Sequence, residues 1–323
     1  MDVFDHLPDP LVSEILNKVD DVKTLVRCRS VSKRFNSFVP QSESLVLRLD
    51  PESDTEFDSP VIGFFRSLFK SLFPRHANPT RPPKNPAQIL SGFDRIRNLE
   101  MVLPGGDIKL EKGAAVRWKA EFGKTLRSCV IVAFRSVTVS TEYTGDVDGG
   151  VTAAESDAEF VSGLKTRVVW TISALMAASA RHFLVREVAK EHKGMEYVVL
   201  RDTEGEGTVV MDAEGIREYA AAARGGDDGA ERLGDEERGR TVVPSVRMSM
   251  RHAPSLRLKS GICLEGATLV VVRPSGAYTA EVAGDAELAT SAFAGDNGGE
   301  SMYGEAVAAL LKCRRNVLEM NSF

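Results

Sequence analysis

Leu7-Pro8-Asp9-Pro10-Leu11-Val12-Ser13-Glu14-Ile15-Leu16 opens the stretch that decides the fold, and Leu25-Val26-Arg27-Cys28-Arg29-Ser30-Val31-Ser32-Lys33-Arg34-Phe35 closes it. Leu11, Ile15 and Leu16 stand at helical spacing, with polar Ser13, Glu14, Asn17 and Lys18 between them. Pro8 suits a first helical turn, where no N–H is needed. Asp20 or Asp21 can cap a second short helix carrying Val22, Leu25 and Val26. Ser30 can cap a third, with Val31, Phe35 and Phe38 on one face. The spacing predicts three short helices joined by tight connections.

Such a unit is too small to bury this much apolar surface alone. Domains below ~40 residues need a metal, disulfides or a partner. No metal cluster or cystine is offered here, so the surplus apolar face must dock on the rest of the chain or on another protein. Residue chemistry takes the argument that far.

A resemblance adds to it. Leu7-Pro8-Asp9-x-Leu11-x-x-x-Ile15-Leu16, followed by Leu25-x-x-Cys28-x-x-Val31-Ser32-Lys33-x-Phe35, resembles an F-box. The resemblance implies that this unit binds the Skp-type adaptor of a cullin–RING ubiquitin ligase. By position it implies an adaptor-binding set of Leu7, Pro8, Leu11, Ile15, Leu16, Leu25, Val31, Ser32 and Phe35. These would line that interface or support it. Cys28 falls where the family has a small residue, which fits packing better than reactivity. Gln88-Ile89-Leu90-x-Gly92-Phe93-Asp94-Arg95-Ile96-Arg97-Asn98-Leu99-Glu100, Glu265-Gly266-Ala267-Thr268-Leu269-Val270 with Arg273-Pro274-Ser275, and the terminus Leu318-Glu319-Met320-Asn321-Ser322-Phe323 are similar to the plant auxin up-regulated F-box protein group. The Gly/Ala-rich acidic inserts near residues 145–158 and 225–240 are less typical of it.

Composition agrees with a folded chain of this kind. The 323 residues are 43% hydrophobic and 27% charged, which is globular rather than disordered. The net charge of −5 argues against a nucleic-acid partner for the whole chain. Cys28, Cys129, Cys263 and Cys313 form no C-x-x-C pair, so neither a zinc ribbon nor a disulfide scaffold is expected. The N-terminus is acidic where a secretory signal would be basic. The uncharged apolar stretch between Arg167 and Arg181 falls short of the ~20 residues of a membrane span. Nucleus, cytoplasm or both is the expected location.

Residues 46–93 read as a connector between the helices of 1–45 and a body at 94–323. Within it, Phe64, Phe65, Leu68, Phe69, Leu72 and Phe73 share one helical face over 61–73. Packing on the body is the expectation; docking on a membrane or in a partner's groove is the alternative. Pro74, Pro79, Pro82, Pro83 and Pro86 make an extended segment. In the body, Ile96–Leu103, Val116–Phe122, Leu126–Phe134, Tyr197–Arg201, Thr208–Asp212, Val246–Met250, Leu256–Leu258 and Thr268–Val272 read as strands. Leu164–Lys193, Glu214–Ala223 and Glu305–Leu318 read as helices. Leu99-x-Met101-x-Leu103 admits a degenerate leucine-rich-repeat arrangement, although no repeat of 20–29 residues recurs. Loops near 144–158 and 224–240 cannot bury apolar surface and are expected to be disordered. The fold class is α/β: a three-helix F-box followed by an α/β C-terminal domain.

No catalytic constellation is legible. Gly123-Lys124-Thr125 lacks the first glycine of a phosphate loop, because Trp118 stands there. Asp146-x-Asp148 with Glu155 has Val151 where a calcium loop needs glycine. Gly205-x-Gly207 has Val210 in place of a third glycine. His182 and His192 are not at metal-ligand spacing, and His6, His76 and His252 have no identifiable partners. No metal or cofactor is expected.

The reading is therefore a non-catalytic substrate receptor of an SCF-type ligase. The F-box would hold the Skp-type adaptor and through it the cullin and RING subunits. The body would recruit an unidentified protein target, and the resemblance implies auxin-related signalling. The alternative is a non-ligase F-box scaffold tethered through the 61–73 helix.

Overall fold

The computed structural model describes residues 6–49, 86–108, 110–139, 157–224, 239–276, 281–294 and 302–323. The helix expected at 61–73, the proline-rich segment up to residue 85 and nearly all of the two acidic loops lie outside the described residues. The chain opens with α1 (Asp9–Val19), α2 (Val22–Arg29) and α3 (Lys33–Phe38), then a 3-10 turn at Val39–Gln41. Strand β1 (Ser44–Arg48) and helix α4 (Pro86–Leu90) follow. The described residues group into two units that do not follow chain order: one of 1–105, 122–124 and 180–241, the other of 106–121, 125–179 and 242–323.

In the first unit, β1 pairs in parallel with β2 (Asn98–Leu103), and β2 pairs in parallel with β6 (Tyr197–Asp202). β6 then forms an antiparallel hairpin with β7 (Gly207–Asp212). Alternation along each strand puts two apolar rows on one face: Leu45, Leu99, Val198 and Met211, then Leu47, Met101, Leu200 and Val209. Every one of these eight side chains is buried. Each contributes about 1.5–3 kcal/mol on leaving water. The Leu-x-Leu pattern reflects these parallel strands. It does not build a leucine-rich repeat among the described residues, where β7 turns back antiparallel on β6 and no further strand extends the parallel register. The hairpin is tied by a buried ion pair. Arg181 Nη2 lies 2.8 Å from Asp202 Oδ2, and Asp202 accepts from the backbone N–H groups of Glu204, Glu206 and Gly207.

The second unit orders its strands as β3 (Ala115–Phe122), β4 (Leu126–Phe134), β9 (Ile262–Pro274), β8 (Val246–Arg257) and β10 (Arg315–Met320), with β5 (Ser136–Val139) on the other stretch of β9. Val130 faces Val271 and Val132 faces Leu269 across β4 and β9. Helices α7 (Glu281–Phe293) and α8 (Met302–Leu310) bring Ala289, Phe293, Val307 and Leu310 to this core.

Two expectations are corrected here. The separate strands expected at Val246–Met250 and Leu256–Leu258 are one strand, β8, which runs through Pro254. The helix expected over Glu305–Leu318 stops at Leu310, and residues 315–320 form β10 instead. Pairing with β8 over the whole length of β10 outweighs the local helical pattern.

Helix α5 (Asp157–Glu191) is longer than expected and contributes residues to both units. Within it, Gly163–Glu191 is long and apolar enough to cross a membrane by length and composition, but 61% of its most apolar window is buried in the protein. Its buried Arg181 and His182 are satisfied by protein groups, as a core helix requires. Helix α6 (Ala213–Arg224) matches the expected position closely.

Candidate functional site

The N-terminal helices bury some of their apolar side chains and leave others exposed. Val12, Leu16, Val22, Leu25 and Val39 are buried, with Leu25 fully inaccessible. Leu11, Ile15, Val26 and Val31 are exposed at 46%, 41%, 46% and 66%. These four make up half of the large exposed hydrophobics among the described residues. Isolated exposed aliphatics are ordinary; four within one small unit are a candidate interaction surface.

Local chemistry fixes the helices that carry them. The Asp21 carboxylate accepts from the backbone N–H of Thr24 at 2.9 Å and from its hydroxyl at 2.6 Å, capping α2. Ser32 Oγ accepts from the Phe35 N–H at 3.1 Å, capping α3. Ser30, expected as that cap, instead ends α2, its N–H bonding the Arg27 and Cys28 carbonyls. Pro8 is the N-cap of α1 and Pro10 sits in its first turn. Arg34 reaches back from α3 to the start of α1, donating to the Leu7 carbonyl and pairing with Asp9 Oδ1 at 2.6 Å. Sequence reasoning missed Arg34; Arg34 and Asp9 lie 25 positions apart, so no local signal joins them.

The helices also bond to the sheet beside them. Val46 N–H donates to the Asp20 carbonyl at 2.8 Å, and Glu43 N–H donates to Asn17 Oδ1 at 2.9 Å. Asp94 N–H donates to the Pro40 carbonyl at 2.7 Å.

The nine residues singled out from the sequence therefore take different positions. Leu11, Ile15 and Val31 are exposed, and so is Pro8. Leu7, Ser32 and Phe35 are half-buried. Leu16 and Leu25 are buried in the core. Val26, exposed on α2, belongs with the first set and was not among the nine.

Other chemistry is accounted for by packing. His182 is wholly buried, its Nδ1 2.8 Å from Thr241 Oγ1 and its Nε2 3.1 Å from the Gly123 carbonyl. It stacks on Phe122, with the Tyr219 ring tilted against it, and burial lowers its pKa to about 3. Burial pushes the Cys129 thiol well above its ordinary value, so it stays protonated and inert. Among the described residues no group of three or more His, Cys, Asp or Glu side chains is placed to hold a metal.

The F-box domain family matches residues 4–46. Over its full length the chain is 65% identical to F-box protein AUF1 and 64% identical to F-box protein AUF2, both of Arabidopsis thaliana, covering all of each. It is 35% identical to the Arabidopsis F-box protein At4g18380, covering 94% of that protein. No solved structure matches the chain. The chain belongs to the F-box proteins, and within them to the group of AUF1 and AUF2, the auxin up-regulated group that its sequence resembles. An N-terminal helical F-box followed by an α/β body is the architecture found.

Proposed function

We propose that this protein is a substrate-receptor subunit of an SCF-type cullin–RING ubiquitin ligase. The exposed aliphatic set Leu11, Ile15, Val26 and Val31 carries the reading, because its helices are already capped and docked and gain nothing internally from exposing it. A Skp-type adaptor is the partner for that face, with cullin and RING subunits reached through it. Pro8, Leu7 and Phe35 border the contact, while Leu16, Leu25 and Ser32 hold its shape. Residues 1–45 serve the adaptor and 94–323 the target. Such a receptor works by proximity, raising the effective concentration of a target lysine near the conjugating enzyme's thiolate, and needs no catalytic side chain of its own. Similarity to the auxin up-regulated group supports a place in auxin-related signalling, acting in nucleus or cytoplasm.

The test is binding of the intact chain to a plant Skp-type adaptor with its cullin. Leu11→Ser with Ile15→Ser should weaken binding by more than about tenfold. Val169→Ser, at an exposed valine on α5, should leave it unchanged. Equal affinity for the double variant and the parent overturns the assignment of this face.

A further inference from the structure

A second candidate binding site lies in the other unit. One face of α5 carries Gly163, Thr166, Arg167 and Trp170 at helical spacing, and these line a cavity of about 310 Å³. The sheet side of the cavity is His252 and Pro254 of β8 with Gly266 of β9, and Arg135 stands at the corner between β4 and β5. At that corner β9 changes partner, from β4 at Thr268–Val272 to β5 at Ile262–Glu265. Gly266 makes the change with φ of +63°, in the left-handed region that favours glycine.

The walls are built around two guanidinium groups. A Cβ at position 163 would stand 2.8 Å from Arg167 Nη2, and one at position 266 would stand 2.6 Å from Arg135 Nε. Both glycines thus make room for an arginine against the wall. Arg167, Trp170 and His252 are at least nine-tenths buried, whereas Arg135 is exposed at the mouth. The Arg135 guanidinium has no carboxylate partner among the described residues. His252 shares a hydrogen bond with Thr268 Oγ1 at 3.0 Å, and burial beside Arg167 lowers its pKa to about 4. The ring is therefore neutral near pH 7. Among the described residues that line the cavity none is a carboxylate, and two are arginines.

We infer that this cavity binds a small organic anion, a carboxylate or phosphate held by Arg135 and Arg167, with its apolar part against Trp170 and Pro254. Planar guanidinium groups match the oxygens of either anion in two-point contacts. The mixed wall of arginine, threonine, tryptophan and proline suits a ligand with one charged end and one apolar end. The inference concerns a ligand of the body and does not depend on the adaptor-binding face.

The experiment is titration calorimetry on the full-length protein with two probes, inorganic phosphate and benzoate. Saturable binding is expected for at least one, weakening as salt is added. Tighter binding of benzoate would support use of the Trp170 wall, and tighter phosphate binding would support the arginine pair as the dominant contact. Arg135→Ala should weaken binding at least about tenfold, and Arg135→Glu should abolish it. Arg135 is exposed, so both variants should keep the parent's thermal midpoint. Arg217→Ala, at an exposed arginine of α6, should bind as the parent does. Absence of saturable binding by both probes overturns the inference, and so does binding that survives Arg135→Glu.

Discussion

At the scale of single residues, the buried polar groups set the largest energies. Arg181 and Asp202 are 1% and 0% exposed, and each also satisfies backbone groups of the β6–β7 hairpin. Removing one partner leaves the other charge buried and unpaired, which costs about 3–5 kcal/mol. Arg181→Met should lower unfolding stability by that amount in urea titrations, while adaptor binding by the remaining folded protein persists. His182 makes a separate prediction. Its ring stays neutral in the folded protein down to about pH 3, but in the unfolded chain it protonates near 6.5. Below that value the unfolded state takes up the proton first, so stability falls as pH drops. From pH 7 to pH 5 this single group removes about 2 kcal/mol. The urea midpoint should fall over that range, and His182→Gln should flatten the fall.

At the scale of elements, α1 has two faces with opposite work. Leu16 and Val12 face inward, and Leu11 and Ile15 face out. Leu16→Ala should cost about 2–5 kcal/mol of stability through the cavity it leaves. Leu11→Ser should change stability by less than about 0.5 kcal/mol, as exposed substitutions do, yet weaken adaptor binding. Thermal unfolding beside adaptor affinity separates the two faces, and a large stability loss in Leu11→Ser would remove the distinction. The caps belong to the same scale. Asp21→Ala removes both acceptor contacts to Thr24 and should cost about 1 kcal/mol. Ser32, given to the adaptor interface by its position in the motif, spends its oxygen on the Phe35 N–H.

At the scale of the whole molecule, the F-box is bonded into its unit as well as joined to it by the chain. β1 spans the boundary expected at residue 45, and its Leu45 and Leu47 begin the two apolar rows that run through β2, β6 and β7. Removing residues 1–45 cuts that strand and uncovers the edge of β2. Such a truncated protein should aggregate or unfold at lower temperature than the parent. Its failure to bind an adaptor would therefore say little, and the point variants at Leu11 and Ile15 are the sharper control.

Much of this protein was legible in one dimension because the signals are local. Helical spacing and cap residues give short N-terminal helices, a long motif over residues 7–35 marks them as an F-box, and alternating or continuous apolar runs give β2, β3, β4, β6 and β7 to within two residues. Tertiary structure alone decided what depends on partners far along the chain. It turned Arg315–Met320 from helix to strand, because pairing with β8 satisfies a full row of backbone groups. It separated Leu11 and Ile15 from Leu16 and Leu25, since hydrophobicity is the same for all four and only packing says which face is covered. It brought Arg135, Arg167 and His252, spread over more than a hundred positions, to one cavity. Sequence spacing encodes which face a side chain shares with its near neighbours; it does not encode which distant element will come to lie against that face.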